Sequence, residues 1–147
     1  MNLAQILDHL IDVCSDSEKR YHHASLDVGK AYLERFFNEQ SAARRRSADQ
    51  LRIERARLGP DGGESGTVVG FINRAAMDFN VVMSMGDTGV VDWCRKDAQT
   101  VIDEYRAALA QELPPHLRKI LERQLGEVRE AIASLDHVLE VYGGPRS

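Results

Sequence analysis

The sequence predicts an all-α protein, a four-helix bundle of two antiparallel helix hairpins joined by a long crossover that contains a short helix. Apolar residues recur three or four positions apart over four segments of about 25 residues, the period of amphipathic helices. Short turns join the first two segments and the last two, whereas the link over residues 59–87 is long. Only 4 prolines occur in 147 residues, and no strand-like alternation stands out. We assign residues 1–147 to a single domain.

The first predicted helix covers residues 2–25. Polar residues fill the gaps between its apolar positions, which makes one face apolar. Asp27 and Gly29 then interrupt the pattern and supply a turn. The apolar positions are Leu3, Ile6, Leu7, Leu10, Ile11, Cys14, Tyr21 and Ala24.

The second predicted helix covers residues 30–58 and completes the first hairpin. Gly59 lies just past its last residue and Pro60 follows, which is a typical stop signal for a helix. Its apolar members are Leu33, Phe36, Phe37, Ala43, Ala48 and Leu51.

The link between the hairpins contains a loop and a short helix. Residues 61–66 hold three glycines but lack the spacing of a phosphate-binding loop, and no strand precedes them, so we interpret them as an ordinary loop. Apolar residues at helical spacing predict a short helix over residues 67–83, which ends before Gly86.

The second hairpin consists of predicted helices over residues 88–112 and 115–142. Asp87 or Thr88 can cap the first of them, because a side-chain oxygen there can accept an amide hydrogen bond of the first turn. Two consecutive prolines end that helix, and Pro115 suits the first turn of the next one.

Four amphipathic helices of this length can bury their apolar stripes only against one another. The link between the hairpins is long enough to run from one end of the bundle to the other. The two hairpins can therefore lie side by side with this link as a crossover. The sequence therefore predicts the ferritin-like order of helices rather than a simple up-and-down bundle.

Several polar residues interrupt the apolar stripes near the middle of the helices. They are Glu18 in the first helix, Gln40 and Arg44 in the second, and Gln124 and Glu127 in the last. Buried polar groups must be paired, so we predict a buried hydrogen-bond network in which Arg44 pairs with Glu18 or Glu127. The alternative is a remnant of a metal or ligand site.

A di-iron or di-manganese site in such a bundle needs one Glu from each of two helices and Glu-x-x-His from the other two. No Glu-x-x-His occurs in the chain. The nearest substitutes are Glu18 with His22 and Glu127 with Glu130. The helix over residues 88–112 offers only Asp97 and Glu104, which we place off its apolar stripe. We therefore expect no cofactor, with iron or manganese as the alternative.

The second helix is basic on an acidic protein. Residues 29–58 carry eight basic and four acidic side chains, whereas the whole chain has a net charge of -4. Because the arginines surround the helix, we expect them to pair with acidic neighbours in a monomer or a homo-oligomer, a dimer above all. The alternative is a docking surface for a protein partner.

The composition argues against several other classes of function. The net charge of -4 gives no general attraction to nucleic acid or to anionic lipid. No apolar stretch approaches the ~20 residues that span a bilayer, and the first residues do not form a signal peptide. Two cysteines, Cys14 and Cys94, fit a reducing compartment, so we predict a cytoplasmic protein.

Short motifs are distributed along nearly the whole chain: C-S-D-S-E-K at 14–19, L-G at 58–59, G-T-V at 66–68, N-R-x-x-M-D at 73–78, L-P-P-x-L at 113–117 and L-E-R-Q-x-x-E-V at 121–128. Together they resemble the motifs of the DUF2383 family of bacterial four-helix-bundle proteins. The resemblance implies a ferritin-like fold in a family of unassigned biochemistry that is often linked with stress responses.

The chain departs from that family at the positions that resemble metal ligands. Where the family commonly reads E-R-G-E-D after the cysteine, residues 95–99 read R-K-D-A-Q, and the usual histidine of the last helix falls at Ile132. By this resemblance only Glu18 and Glu127 remain. We therefore expect a bundle that is not an enzyme and that acts through self-association or partner binding, with a carboxylate-bridged di-metal protein as the alternative.

Overall fold

The computed structural model describes residues 2–60 and 86–142 and folds them into four helices. These are α1 (Leu3–Asp27), α2 (Ala31–Arg57), α3 (Gly86–Leu109) and α4 (Pro115–Tyr142). No strand occurs in either described range, so the predicted all-α four-helix class is confirmed. The predicted loop at 61–66 and the predicted short helix at 67–83 lie outside the described residues.

Local capping explains where α1 begins and where α2 ends. The Asn2 side chain accepts a 2.8 Å hydrogen bond from the Gln5 amide, and the Gln5 side chain accepts one of 3.1 Å from the Asn2 amide. This reciprocal pair satisfies two amide groups that have no partner inside the helix. At the end of α2, Gly59 adopts a φ of 72°, a left-handed conformation that favours glycine, as the predicted stop signal requires.

The bounds of α3 differ from the predicted 88–112. The helix begins at Gly86, so Asp87 and Thr88 lie inside its first turn and not before it, as a cap does. The Asp87 carboxylate accepts a 3.0 Å hydrogen bond from the amide of Gly29. The helix ends at Leu109, three residues earlier than predicted. Prolines 114 and 115 have no amide hydrogen for the carbonyls four residues before them, so a longer helix would leave those carbonyls unpaired.

Contacts near the helix ends establish the helix directions. His116 at the start of α4 lies 3.3 Å from Glu54 near the end of α2. At the other end of the bundle, Gly29 in the turn between α1 and α2 is bonded to Asp87 near the start of α3. Helices α2 and α3 therefore run in the same direction, and α2 ends at the opposite end of the bundle from the start of α3. This is the order of two hairpins joined by a crossover.

The apolar core is divided into two clusters along the bundle. One surrounds the first half of α1 and includes Leu10, Leu51, Val101, Leu121 and Val128. The other surrounds the second half of α1 and includes Tyr21, Phe37, Val90, Trp93 and Leu135. Among the described residues, no helix combines the length and apolar character needed to cross a membrane.

Candidate functional site

Three buried polar side chains lie between the two apolar clusters, and we call them the polar layer. They are Ser17 of α1, Arg44 of α2 and Asp97 of α3. On α1 the layer falls between Cys14, which belongs to one cluster, and Tyr21, which belongs to the other. The layer therefore occupies the middle of the bundle, where proteins of this architecture place their chemistry.

Asp97 is the carboxylate of the polar layer. Its Oδ2 accepts a 2.8 Å hydrogen bond from the Ser17 hydroxyl, and its Oδ1 lies 3.7 Å from Nη1 of Arg20. Burial raises the pKa of Asp97 above its ordinary value. The Ser17 hydrogen bond and the nearby Arg20 and Arg44 charges oppose this rise in pKa only in part, because removal from water dominates.

Arg44 places a cation in the middle of the core. Its side chain is 2% exposed, and its Nη2 donates a 3.3 Å hydrogen bond to Oε1 of Gln40. Its Nε has no hydrogen-bond partner, alone among the buried side-chain nitrogen and oxygen atoms in the described part of the chain. The guanidinium also lowers the pKa of Asp97, which shows that the two charges of the layer act on each other.

Each cysteine forms a buried pair with a tyrosine across α1 and α3. Sγ of Cys14 lies 3.2 Å from Oη of Tyr105, and Sγ of Cys94 donates to Oη of Tyr21 at 3.5 Å. Burial raises the pKa of both thiols, that of Cys94 to about 12. Both thiols therefore stay protonated near neutral pH, and a protonated thiol is a poor nucleophile and a poor metal ligand.

A chain of hydrogen bonds continues from the Cys14 pair into α4. The Tyr105 hydroxyl donates to Oε1 of Gln124 at 2.7 Å. Nε2 of Gln124 then donates to the Ser47 carbonyl at 3.4 Å and to Oε1 of Gln50 at 3.1 Å. This chain of hydrogen bonds therefore connects all four helices, and the polar groups in it bond to one another inside the protein.

The predicted network is only partly the one observed. The structure places Arg44 and Gln124 in the core and Gln40 beside Arg44. Glu127 is exposed instead of buried, and its Oε1 lies 3.9 Å from Arg123. Arg44 is bonded to Gln40 rather than to Glu18 or Glu127, because a glutamine one helical turn away on α2 reaches it first.

The four predicted metal ligands do not come together. Glu18 is half-buried, whereas His22, Glu127 and Glu130 are exposed. Within residues 2–60 and 86–142, no group of three or more His, Cys, Asp or Glu side chains is arranged to hold a metal ion. Among these residues, the predicted ligands are not arranged as a di-iron or di-manganese site requires.

Two residues of the interior were misplaced by the sequence analysis. Asp97 was assigned off the apolar stripe but is 9% exposed, and the signal was available, because it follows Cys94 by three residues and precedes Val101 by four. Glu104 was likewise placed off the stripe, yet its Oε2 lies 2.5 Å from Nε2 of His9 on α1, and both side chains are mostly buried. No single-helix pattern shows such a pair, since its members lie on different helices.

The basic α2 uses part of its charge on neighbouring acids. Arg52 lies 2.9 Å from Asp49, Arg57 3.2 Å from Glu54, and Arg55 2.9 Å from Asp8 on α1. These pairs are concentrated in the second half of the helix. The first half instead lines an open groove of about 490 Å³, whose residues are Ala31, Glu34, Arg35, Asn38, Glu39 and Ala42.

Comparison with known proteins identifies a family but no characterised relative. The model of a family described as "Domain of unknown function (DUF2383)" matches residues 2–111. The match includes α1, α2 and α3 and hence the whole polar layer, whereas α4 lies beyond it. No curated protein matches the chain.

Proposed function

The chain belongs to the DUF2383 family, and from this premise we propose that it is a non-catalytic, ferritin-like helical bundle that acts by associating with a second copy of itself. The single observation that supports this proposal is the composition of the polar layer. At the level where a di-metal bundle needs several carboxylates, the described residues supply one buried carboxylate, Asp97, together with the guanidinium of Arg44.

The remaining buried groups offer no reactive function. Both thiols are protonated at neutral pH and bonded to tyrosines. A cation in the layer also repels a divalent metal ion, because two like charges in a medium of low polarity interact strongly. With the buried thiols protonated and a cation in the polar layer, the solvent-facing surfaces are the parts of the bundle that can act.

The proposal is tested by measuring mass and metal content on the same preparation. We expect light scattering after size exclusion to give twice the chain mass of 16.5 kDa. After loading with ferrous iron and desalting, we expect elemental analysis to find no retained iron. A monomer at every attainable concentration overturns self-association, and about two irons per chain overturn the non-catalytic assignment.

A cytoplasmic location and a role in stress responses stay predictions of the sequence. A protein partner on basic α2 is the competing form of association. It would leave the chain monomeric alone and would produce a larger complex only when an acidic protein is added.

A further inference from the structure

The exposed side of α2 carries a regular stripe of solvent-exposed residues. Every third or fourth residue along the whole helix is exposed. The members of this outer stripe are Ala31, Arg35, Asn38, Ala42, Arg45, Asp49, Arg52 and Ala56. Residues at spacings of three and four lie on one side of a helix, so these residues form a continuous strip along α2.

Within the described part of the chain, the charged side chains in the first half of α2 lack the ion pairs that the arginines of its second half form. In the second half the arginines form the ion pairs described above. In the first half and middle of α2, Glu34, Arg35, Glu39, Arg45 and Arg46 are exposed and take part in none of the ion pairs found among the described residues. Charges of both signs are therefore available to a partner at the groove.

The order of these charges determines which partner fits. Both glutamates precede Arg45 and Arg46 along the helix. Arg35 lies between the glutamates and would face Asp49 of an antiparallel copy centred on Ala42. A parallel copy of α2 would set like charges against each other, whereas an antiparallel copy sets the glutamates of one chain against the arginines of the other. An acidic protein would satisfy the arginines but would oppose the glutamates. The charge pattern is thus complementary to itself under a two-fold rotation.

We propose that this face of α2 forms a two-fold symmetric dimer interface in which α2 of one chain lies antiparallel to α2 of a second copy. Glu39 of each chain lies against Arg46 of the other, so the same ion pair forms twice. Ala42 lies close to the two-fold axis, where its small side chain allows the helices to approach to about 8–10 Å. This inference rests on the proposed self-association and names the surface that mediates it.

Charge reversal tests the proposed ion pair. Glu39→Arg and Arg46→Glu each replace two attractions by two repulsions, so we expect each to raise the dimer dissociation constant about tenfold or more in sedimentation equilibrium. The double variant restores opposite charges, and we expect its dissociation constant to return to within about threefold of the wild-type value. Glu122→Arg, an exposed site on α4, is the matched control and should leave the dimer unchanged.

A cysteine placed at the axis tests the geometry independently. Ala42→Cys should form a disulfide with its symmetry mate under mild oxidation, because cross-linking requires Cα atoms within about 7 Å. The native thiols are both buried and do not compete. Ala133→Cys, exposed on α4, is the control and should stay monomeric on a non-reducing gel.

The outcomes separate this inference from the proposed function. If the wild-type protein is a monomer, both fail. If it is a dimer but the single charge reversals dimerise as tightly as the wild type, or Ala42→Cys fails to cross-link, the α2 interface is wrong and self-association through another surface stands. Circular dichroism of each variant confirms that a lost dimer is not a lost fold.

Discussion

The hydroxyl of Ser17 donates a 2.8 Å hydrogen bond to Asp97 and thereby joins α1 to α3 inside the core. Both residues are buried, so water does not compete for the bond. Because α1 belongs to the first hairpin and α3 to the second, this bond connects the two halves of the bundle. The carboxylate that accepts it is also the group whose pKa the charges of Arg20 and Arg44 lower.

Asp97 should make stability depend on pH in an unusual direction. Its pKa in the folded state is raised above its ordinary value of 3.8. At pH values between the pKa of the unfolded chain and that of the folded chain, the folded chain therefore holds the proton more often than the unfolded chain. The free energy of unfolding therefore falls as pH rises through this window, by at most about 1.4 kcal/mol per pH unit.

The variant Asp97→Asn isolates this contribution, because an amide cannot ionise but still accepts the Ser17 hydrogen bond. We expect urea unfolding to show that the variant gains stability relative to the wild type as pH rises from about 4 to 7. If the two proteins differ in free energy of unfolding by the same amount at every pH in this range, the pKa of Asp97 is not raised in the folded state.

The helices and their pairing were predictable from the sequence, whereas the composition of the polar layer was only partly so. The period of three to four residues depends on each helix alone, and stop signals such as Gly59 act locally. The partners of Arg44 and His9 depend on which helices pack against each other and on which residues lie at the same level along the bundle. Glu127 and Gln40 illustrate the limit, because both interrupt or border an apolar stripe, yet only Gln40 reaches the interior groups.

Cys14 and Cys94 should be unreactive until the bundle unfolds. Both thiols are buried, and burial raises both pKa values, so little thiolate exists and reagents cannot reach it. We expect a colorimetric disulfide reagent at pH 8 to label neither thiol rapidly in buffer and to label both at once in concentrated urea. Rapid labelling of one thiol in buffer would place that cysteine in a part of the core that opens locally.

Arg44 should stabilise the fold mainly because its side chain fills space in the core, and only slightly through its charge. Its Nε is unpaired, and replacing a buried charge by an apolar side chain of similar size is often neutral. We therefore expect Arg44→Met to change the free energy of unfolding by less than about 1.5 kcal/mol, whereas Arg44→Ala leaves a cavity and costs about 2–5 kcal/mol. Equal losses in the two variants would show that the guanidinium itself stabilises the layer.

The bond from Tyr105 to Gln124 should be the strongest polar link between α3 and α4. At 2.7 Å in the core, its loss in Tyr105→Phe leaves the Gln124 carbonyl oxygen unpaired, which costs about 1–3 kcal/mol. In a Gln124→Leu background that oxygen is absent, so Tyr105→Phe should cost about 1 kcal/mol less than in the wild type. Chemical denaturation of the two single variants and the double variant measures this coupling directly. If Tyr105→Phe costs the same in both backgrounds, the hydroxyl acts through Cys14, its other neighbour at 3.2 Å, and the link to α4 carries no stability of its own.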